Sequence, residues 1–284
     1  MVELMRKRYG GDAVDGAIRL VSGDISVGLV TIDAVAEHPL DTASRSLINA
    51  ESDLYFSVPE SDVIIKRVVL PDEKYLDPRK LAVFEFSAML LDDPDRYYIE
   101  VHDLIGGKEK LVVGYHQNCI DQQVSFFSER LIKPAGFKLR SLALADGYRY
   151  FCNPEGGELI CLVDITANRA SYCFLRDNRP ALLGSLRGRK VESGGESNYH
   201  GKFIIDLAAT LQFQASALFK SGHSVPLSRI LVSGNPVSEE LLTQIEQRLN
   251  VSTGFPSPKT ALFRSAVVPE AGRYLVSLGL TVDH

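Results

Sequence analysis

The chain has 284 residues, 45% of them hydrophobic and 24% charged, with a net charge of −5. That length supports one or two domains with an ample core, and the acidic balance argues against a nucleic-acid binder, because phosphate neutralisation needs a basic face. No run approaches the roughly 18 apolar residues of a membrane helix; the opening "MVELMRKRYGGDAVDG" carries a basic cluster, Arg6, Lys7 and Arg8, without the apolar stretch of a secretory signal, and reads as a solvated, mobile terminus.

Residues 17 to 35, "AIRLVSGDISVGLVTIDAV", read as strand, turn, strand. "DTASRSLINA" from Asp41 reads as a short helix capped by its aspartate. "DLYFSVP" and "DVIIKRVVLP" are β-rich runs, each closed by a proline, and either can be a core strand or a sheet edge open to a partner strand. In "LDPRKLAVFEFSAMLLDDPD", Asp77 can cap a helix and Pro78 can open it. Leu81, Phe84, Ala88 and Leu91 then fall on one face. "RYYIEVHDLIG" and "EKLVVGYH" form a hairpin through Gly106 and Gly107, which sets His102 across from His116 as a solvated or hydrogen-bonded pair rather than a metal site. A second helix carries Ile120, Val124, Phe127 and Leu131 on one stripe and stops around Pro134 and Gly136.

In the second half, "ELICLVDI" and "RASYCFLRD" pair as antiparallel strands, with "PALLGSLRG" as a candidate third. Residues 184 to 201 carry five glycines and read as a flexible loop, with no G-x-x-x-x-G-K-[ST] phosphate motif. The next helix turns Ile204, Leu207, Ala208, Leu211, Ala215 and Leu218 inward. "SRILVSGNPVSEELLTQIEQRLNV" reads as strand, tight turn, helix, and "RYLVSLGLTV" as a short apolar close. The cysteines, Cys119, Cys152, Cys161 and Cys173, contain no C-x-x-C pair and read as free thiols. No nucleophile elbow and no zinc-protease histidine pair occurs.

The order of these pieces resembles the PilM-like, type IV pilus assembly branch of the actin-like ATPase superfamily, which includes FtsA, and more distantly the cytoplasmic part of the type II secretion protein GspL. "YFSVPESDVIIKRVVLP", "LAVFEFSAMLLDDPDRYYIEVHDL", "KLVVGYHQNCIDQQVSFFSERLIKPAGFKLRSLAL", "CLVDITANRASYCFLRDNRP" and "RILVSGNPVSEELLTQIEQRLNV" carry the resemblance, over roughly residues 52 to 282. It implies a mixed α/β, duplicated actin-like (ribonuclease H-like) fold with an inserted small α+β, SHS2-like subdomain and a reduced helical subdomain in the second half. Residues 1–51 and 140–156 would form the first half, 52–139 the insertion, and 157–284 the second half.

The departures bear on function. ATP-binding members open with D-x-G, whose backbone N–H groups cradle phosphate. The nearest stretch is "GDISVG", which offers Asp24 and, where glycine is wanted, Ser26. The second hairpin has Asp164, Ile165, Thr166 in place of D-I-G, followed by Asn168, and β-branched Thr166 is a poor substitute for glycine. At the adenosine turn Gly234 stands alone before Asn235 and Pro236. Asp164 can position Mg²⁺ or water, or it can simply cap a strand end. The resemblance therefore implies a degenerate nucleotide site, a pseudo-ATPase with no cofactor, and with ATP and Mg²⁺ only if Asp24, Asp164 and Gly234 converge.

The implied role is a non-catalytic cytoplasmic scaffold, peripheral at the inner membrane, which docks the cytoplasmic tail of an inner-membrane assembly protein in a groove near the inserted subdomain. It would touch the membrane only indirectly and bind no nucleic acid, and it is a candidate homo-oligomer. The alternatives are an ATP-binding or nucleotide-regulated assembly ATPase, and an unrelated two-domain binding module, which would lack two similar five-stranded halves.

Overall fold

The structure is a computed structural model that describes residues 6–14, 16–26, 29–39, 53–71, 77–104, 109–152, 154, 156–167, 169–188, 196–220, 225–234, 237–264 and 272–282. Two five-stranded sheets share one topology. The first uses β1 (Arg6–Val14), β2 (Ala17–Ser26), β3 (Leu29–Pro39), β4 (Asp53–Val58) and β8 (Gly136–Leu139) in the order β3-β2-β1-β4-β8. The second uses β9 (Leu159–Thr166), β10 (Arg169–Arg176), β11 (Arg179–Arg187), β12 (Leu227–Gly234) and β13 (Ser252–Gly254) in the order β11-β10-β9-β12-β13. In each, the first three strands pair antiparallel and the last two join in parallel. Two similar five-stranded halves are what the unrelated-module alternative lacks.

The N-terminal basic segment is not a mobile tail. Arg6–Val14 is the middle strand of the first sheet, between β2 and β4. The Arg8 side chain is buried with its guanidinium 4.9 Å from the Tyr55 ring centre, and Lys7 reaches Asp33 at 3.6 Å. Backbone pairing on both edges, plus partners for Lys7 and Arg8, removes the reason for the segment to stay in water.

The helices α3 (Arg140–Phe151) and α6 (Leu275–Gly279) lie between the two sheets. The core there takes Val21, Val30 and Ile32 from one sheet and Ile160, Leu162, Cys173 and Leu175 from the other. The expected C-terminal apolar segment is thus a buried helix packed backbone to backbone on α3. A Cβ on Gly279 would stand 1.8 Å from the Ala143 carbonyl oxygen, so only glycine permits this approach. The outer face of the second sheet is covered by α4 (Glu196–Lys220) and α5 (Glu239–Leu249). The expected inward set of α4 is found: Ile204, Leu207, Ala208, Leu211 and Leu218 are buried, with Ala215 packed against them. Of the glycine-rich stretch 184–201 expected as a loop, β11 takes the residues up to Arg187 and α4 those from Glu196, while 189–195 lie outside the described residues.

A three-stranded antiparallel sheet, β5 (Val63–Val69), β7 (Glu109–His116) and β6 (Tyr97–Asp103), in the order β5-β7-β6, carries α1 (Pro78–Ala88) on one face. Its other face packs on Val58, Leu139 and Leu142 of the first half. Since β4 and β8 serve the first sheet, the three-stranded module lies between them in sequence. Of the two β-rich runs weighed as edges, β4 is internal and β5 is an outer strand. Asp77 caps α1, accepting the Arg79 N–H at 2.9 Å.

The inward stripe of α1 differs from expectation. Ala82 and Phe86 are fully buried, while Phe84 is 68% exposed and Leu91 lies in water beyond the helix end. The sequence offers two overlapping apolar stripes, and the glycine at Gly114 on β7 selects the one with Phe86, whose ring fills the space a Cβ would take. The next helix, α2 (Gln117–Ser128), buries Phe127 but stops before Leu131, which is exposed; Ile132 turns inward instead. His102 and His116 do not face each other: His102 is opposite Leu111, and His116 is opposite Tyr97. His116 Nδ1 caps α2 by accepting the Asn118 N–H at 3.2 Å, whereas His102 contacts Glu100 at 3.3 Å. The short helix expected from Asp41 to Ala50 lies outside the described residues. All four cysteines are free thiols, and no described helix is long and apolar enough to cross a membrane.

Candidate functional site

The middle strands β1 and β9 hold corresponding places in the two sheets, and each carries an aspartate two residues before its last residue. On β9, Ile160 and Leu162 face α3, so the period of two turns Asp164 the same way. On β1, Gly10 lies against Ser277 of α6, and Asp12 follows on that face. The two carboxylates converge on Arg140, the first residue of α3. Arg140 donates to Asp12 through Nη1 at 2.5 Å and Nη2 at 2.9 Å. It donates to Asp164 Oδ2 through Nη2 at 2.5 Å and Nε at 3.2 Å. The remaining contacts repeat between the halves. Ser57, on β4 beside β1, donates to Asp12 Oδ1 at 2.6 Å; Ser233, on β12 beside β9, donates to Asp164 Oδ1 at 3.1 Å.

Asp12 and Asp164 are each 1% exposed and Arg140 is 4% exposed. Burying such charges costs several kcal/mol per ion unless each is paired and hydrogen-bonded. Here every carboxylate oxygen has a donor. Burial opposes the Arg140 charge, but the two aspartates outweigh it and hold its pKa above the ordinary arginine value. A third acid completes the centre. Glu60 Oε1 accepts the Ser141 N–H at 2.8 Å at the amino end of α3, and Oε2 accepts the Ser171 hydroxyl at 2.7 Å. Its burial raises its pKa against those bonds and the Arg140 charge.

The structure brings Asp164, Thr166 and Gly234 together. Ser233 and Gly234 pair with Asp164 and Ile165 across the β9–β12 ladder. Gly234 has φ +103, and a Cβ there would meet the Ile165 oxygen at 2.0 Å, so this glycine serves the turn itself. Thr166 donates its hydroxyl to the Arg169 carbonyl at 3.2 Å, across the β9–β10 turn. Asp24 does not join them. It pairs with Arg264 at 2.8 Å and lies five residues along β2 from Arg19, the residue opposite Asp12. At about 3.4 Å per residue, roughly 17 Å separates it from the centre. Ser26 ends β2 beside Leu29, at that same far end. Asn168, Asn235 and Pro236 lie outside the described residues. Asp12, Arg140 and Glu60 were missed by sequence reasoning. The signal was available in "GDAVDGAI": an Asp-Gly turn between β-rich runs marks a hairpin, with Asp12 just before it.

These residues give a direct test of fit for Mg²⁺ with a nucleotide. The two carboxylates that would face a divalent cation already share a guanidinium, and no carboxylate oxygen lacks a donor. As it stands, the centre leaves no ligand for a metal. Among the described residues there is also no cluster of three or more histidine, cysteine or acidic side chains able to hold a metal ion.

A second feature lies further along α3. A groove of about 730 Å³ runs between β6 and β8, with Glu100, His102, Phe137, Lys138, Arg149 and Tyr150 among its lining. β6 and β8 are the outer strands of their sheets. The buried Lys138 ammonium contacts Asp146; burial lowers its pKa and the Asp146 charge partly restores it. Burial raises the Glu100 pKa, but the bond and charge of His102 and the Tyr115 hydroxyl outweigh it, leaving the carboxyl below its ordinary value. Tyr115 also accepts the Leu139 N–H at 3.1 Å, fastening the module to β8.

No protein-family model matches the chain, and no curated protein matches it in sequence. Solved structures match it in fold. A chain of the PilM–PilN type IV pilus biogenesis complex superposes with TM-score 0.72 at 14% identity, covering 98% of each chain. A Bacteroides thetaiotaomicron protein with an actin-like ATPase fold and unknown function superposes with TM-score 0.51 at 9% identity, covering 88% of this chain and 91% of that one. The cytoplasmic domain of EpsL, an inner-membrane component of the Vibrio cholerae type II secretion system, matches at TM-score 0.48 and 9% identity, over 85% and 94%. With its paired five-stranded sheets and its likeness to the first two of these structures, the chain has the actin-like ATPase fold.

Proposed function

We propose that this protein is a non-catalytic actin-like scaffold that docks the cytoplasmic tail of an inner-membrane protein in a pilus- or secretion-type assembly machine. The observation that carries the reading is the groove between β6 and β8. An extended peptide can dock along the outer strands of a sheet while its side chains fill flanking pockets. The groove offers Val101, Phe137 and Tyr150 to apolar side chains and Arg79, Arg149 and His102 to acidic ones. The likeness of fold to a chain from a PilM–PilN complex supports this reading. In it, Asp164, Thr166 and Gly234 are vestiges of a phosphate site, and the inserted module is the part of residues 52–139 that walls the groove.

The test is fluorescence anisotropy with labelled peptides copying the cytoplasmic tails of single-span pilus and secretion proteins. One of them is expected to bind the full chain saturably, and Arg149→Glu with His102→Glu to weaken it at least tenfold. Binding untouched by both substitutions, or steady Mg·ATP hydrolysis by the purified chain, would count against the proposal.

A further inference from the structure

We infer that Arg140 is a built-in cation: its guanidinium fills a two-carboxylate centre between Asp12 and Asp164, joins the two sheets there, and closes that centre to divalent metal and to Mg·nucleotide. The inference is independent of what binds the groove. It rests on the repeat between the halves. Each sheet supplies one aspartate from its middle strand and one serine from the next, Asp12 with Ser57 and Asp164 with Ser233. Two carboxylates and two hydroxyls from facing strands are an all-oxygen set of the type hard divalent cations take. In this chain one side chain supplies the positive charge from within. It approaches from the first turn of α3, the helix packed between the sheets, and reaches both acids with bonds of 2.5 to 3.2 Å. A planar guanidinium satisfies both acids at once, which an ammonium cannot do with the same geometry.

The closure then does not depend on a ligand. A nucleotide that bridges two halves links them only while bound. A guanidinium on the chain links them at all times, so the protein holds one arrangement whatever the nucleotide level. That suits a part whose task is to present a fixed surface.

The experiment is thermal unfolding of the full chain with MgCl2, CaCl2, Mg·ATP or low-millimolar guanidinium. The wild type is expected to show no saturable rise in Tm with any of them; a rise with Mg·ATP or either metal overturns the inference. Arg140→Ala is expected to melt several degrees lower and to regain part of the loss with Ca²⁺ or guanidinium. Adding Asp164→Asn to that variant is expected to recover stability without any added cation and to abolish the response. An Arg140→Ala protein indifferent to every cation overturns the inference. Should Arg140→Ala emerge unfolded, its refolding yield with and without Ca²⁺ carries the same test: a restored yield supports the inference and an unchanged one overturns it. Arg140→Lys keeps a point charge without the fork, and a Tm equal to wild type would also count against it.

Discussion

Glu60 Oε1 accepts a 2.8 Å hydrogen bond from the Ser141 backbone N–H, which ties the residue just past β4 to the first turn of α3. The other oxygen accepts the Ser171 hydroxyl on β10, so one carboxylate fastens the first half to the second beside Arg140. A carboxylate at a helix amino end is favourable, yet burial still raises the Glu60 pKa.

The sign of the pH effect follows. Below the ordinary value of 4.5, Glu60 is protonated whether the chain is folded or not. As pH rises, the unfolded side chain ionises first, the native state binds the extra proton, and stability falls until the folded group ionises too. Glu60→Gln keeps an acceptor for Ser141 and a donor for Ser171 and removes this loss. Urea unfolding between pH 4 and pH 8 is expected to show the variant gaining on the wild type as pH rises, then holding a constant lead. A variant that falls further behind with pH would mean that Arg140 favours the ionised form more than burial opposes it.

Arg140→Met leaves two buried carboxylates facing each other without a counter-charge. Breaking a buried pair on one side costs about 3–5 kcal/mol, and a loss of that size is expected in chemical denaturation. Asp12→Asn and Asp164→Asn added together to Arg140→Met are expected to recover most of it. If the triple variant is no more stable than the single one, lost packing rather than stranded charge explains the defect.

The two phenylalanines of α1 separate packing from composition. Phe86 is fully buried and Phe84 is 68% exposed. Phe86→Ala is expected to cost about 3–5 kcal/mol, as for a large core side chain. Phe84→Ser is expected to stay within about 0.5 kcal/mol, as at other surface positions. Equal effects in parallel urea titrations would mean the helix is seated on its other face.

Gly279→Ala puts a methyl into the Ala143 carbonyl, a backbone atom that cannot step aside. The expected cost is about 1–3 kcal/mol or more, from overpacking α6 against α3. Gly156→Ala, where the added methyl meets nothing within 4 Å, is the control and is expected to change Tm little.

Thiol reactivity reports the same burial. Burial pushes Cys152 up to about 12 and raises Cys161 and Cys173, while Cys119 is raised less and is partly accessible. The thiolate is the reactive form. A thiol-titrating disulfide at pH 8 is expected to react first at Cys119, and at all four cysteines only in denaturant. Rapid native labelling of Cys161 or Cys173 would show that the second sheet opens readily.

The sequence by itself determined the local elements and their order. Asp77 before Pro78 placed the start of α1, the stripe from Ile204 to Leu218 placed α4, and the two apolar runs between Leu159 and Arg176 placed a hairpin, because capping, side-chain period and short apolar runs are local signals. It also carried the actin-like resemblance, through that order. Only the tertiary structure decided the rest. It made Arg6–Val14 a central strand, because pairing on both edges and partners for Arg8 exist only once distant strands assemble. It chose Phe86 over Phe84, because the space opposite Gly114 lies on another strand. It joined Asp12, Arg140 and Asp164, separated by 128 and 24 residues, because the field between buried charges is felt only where folding excludes water.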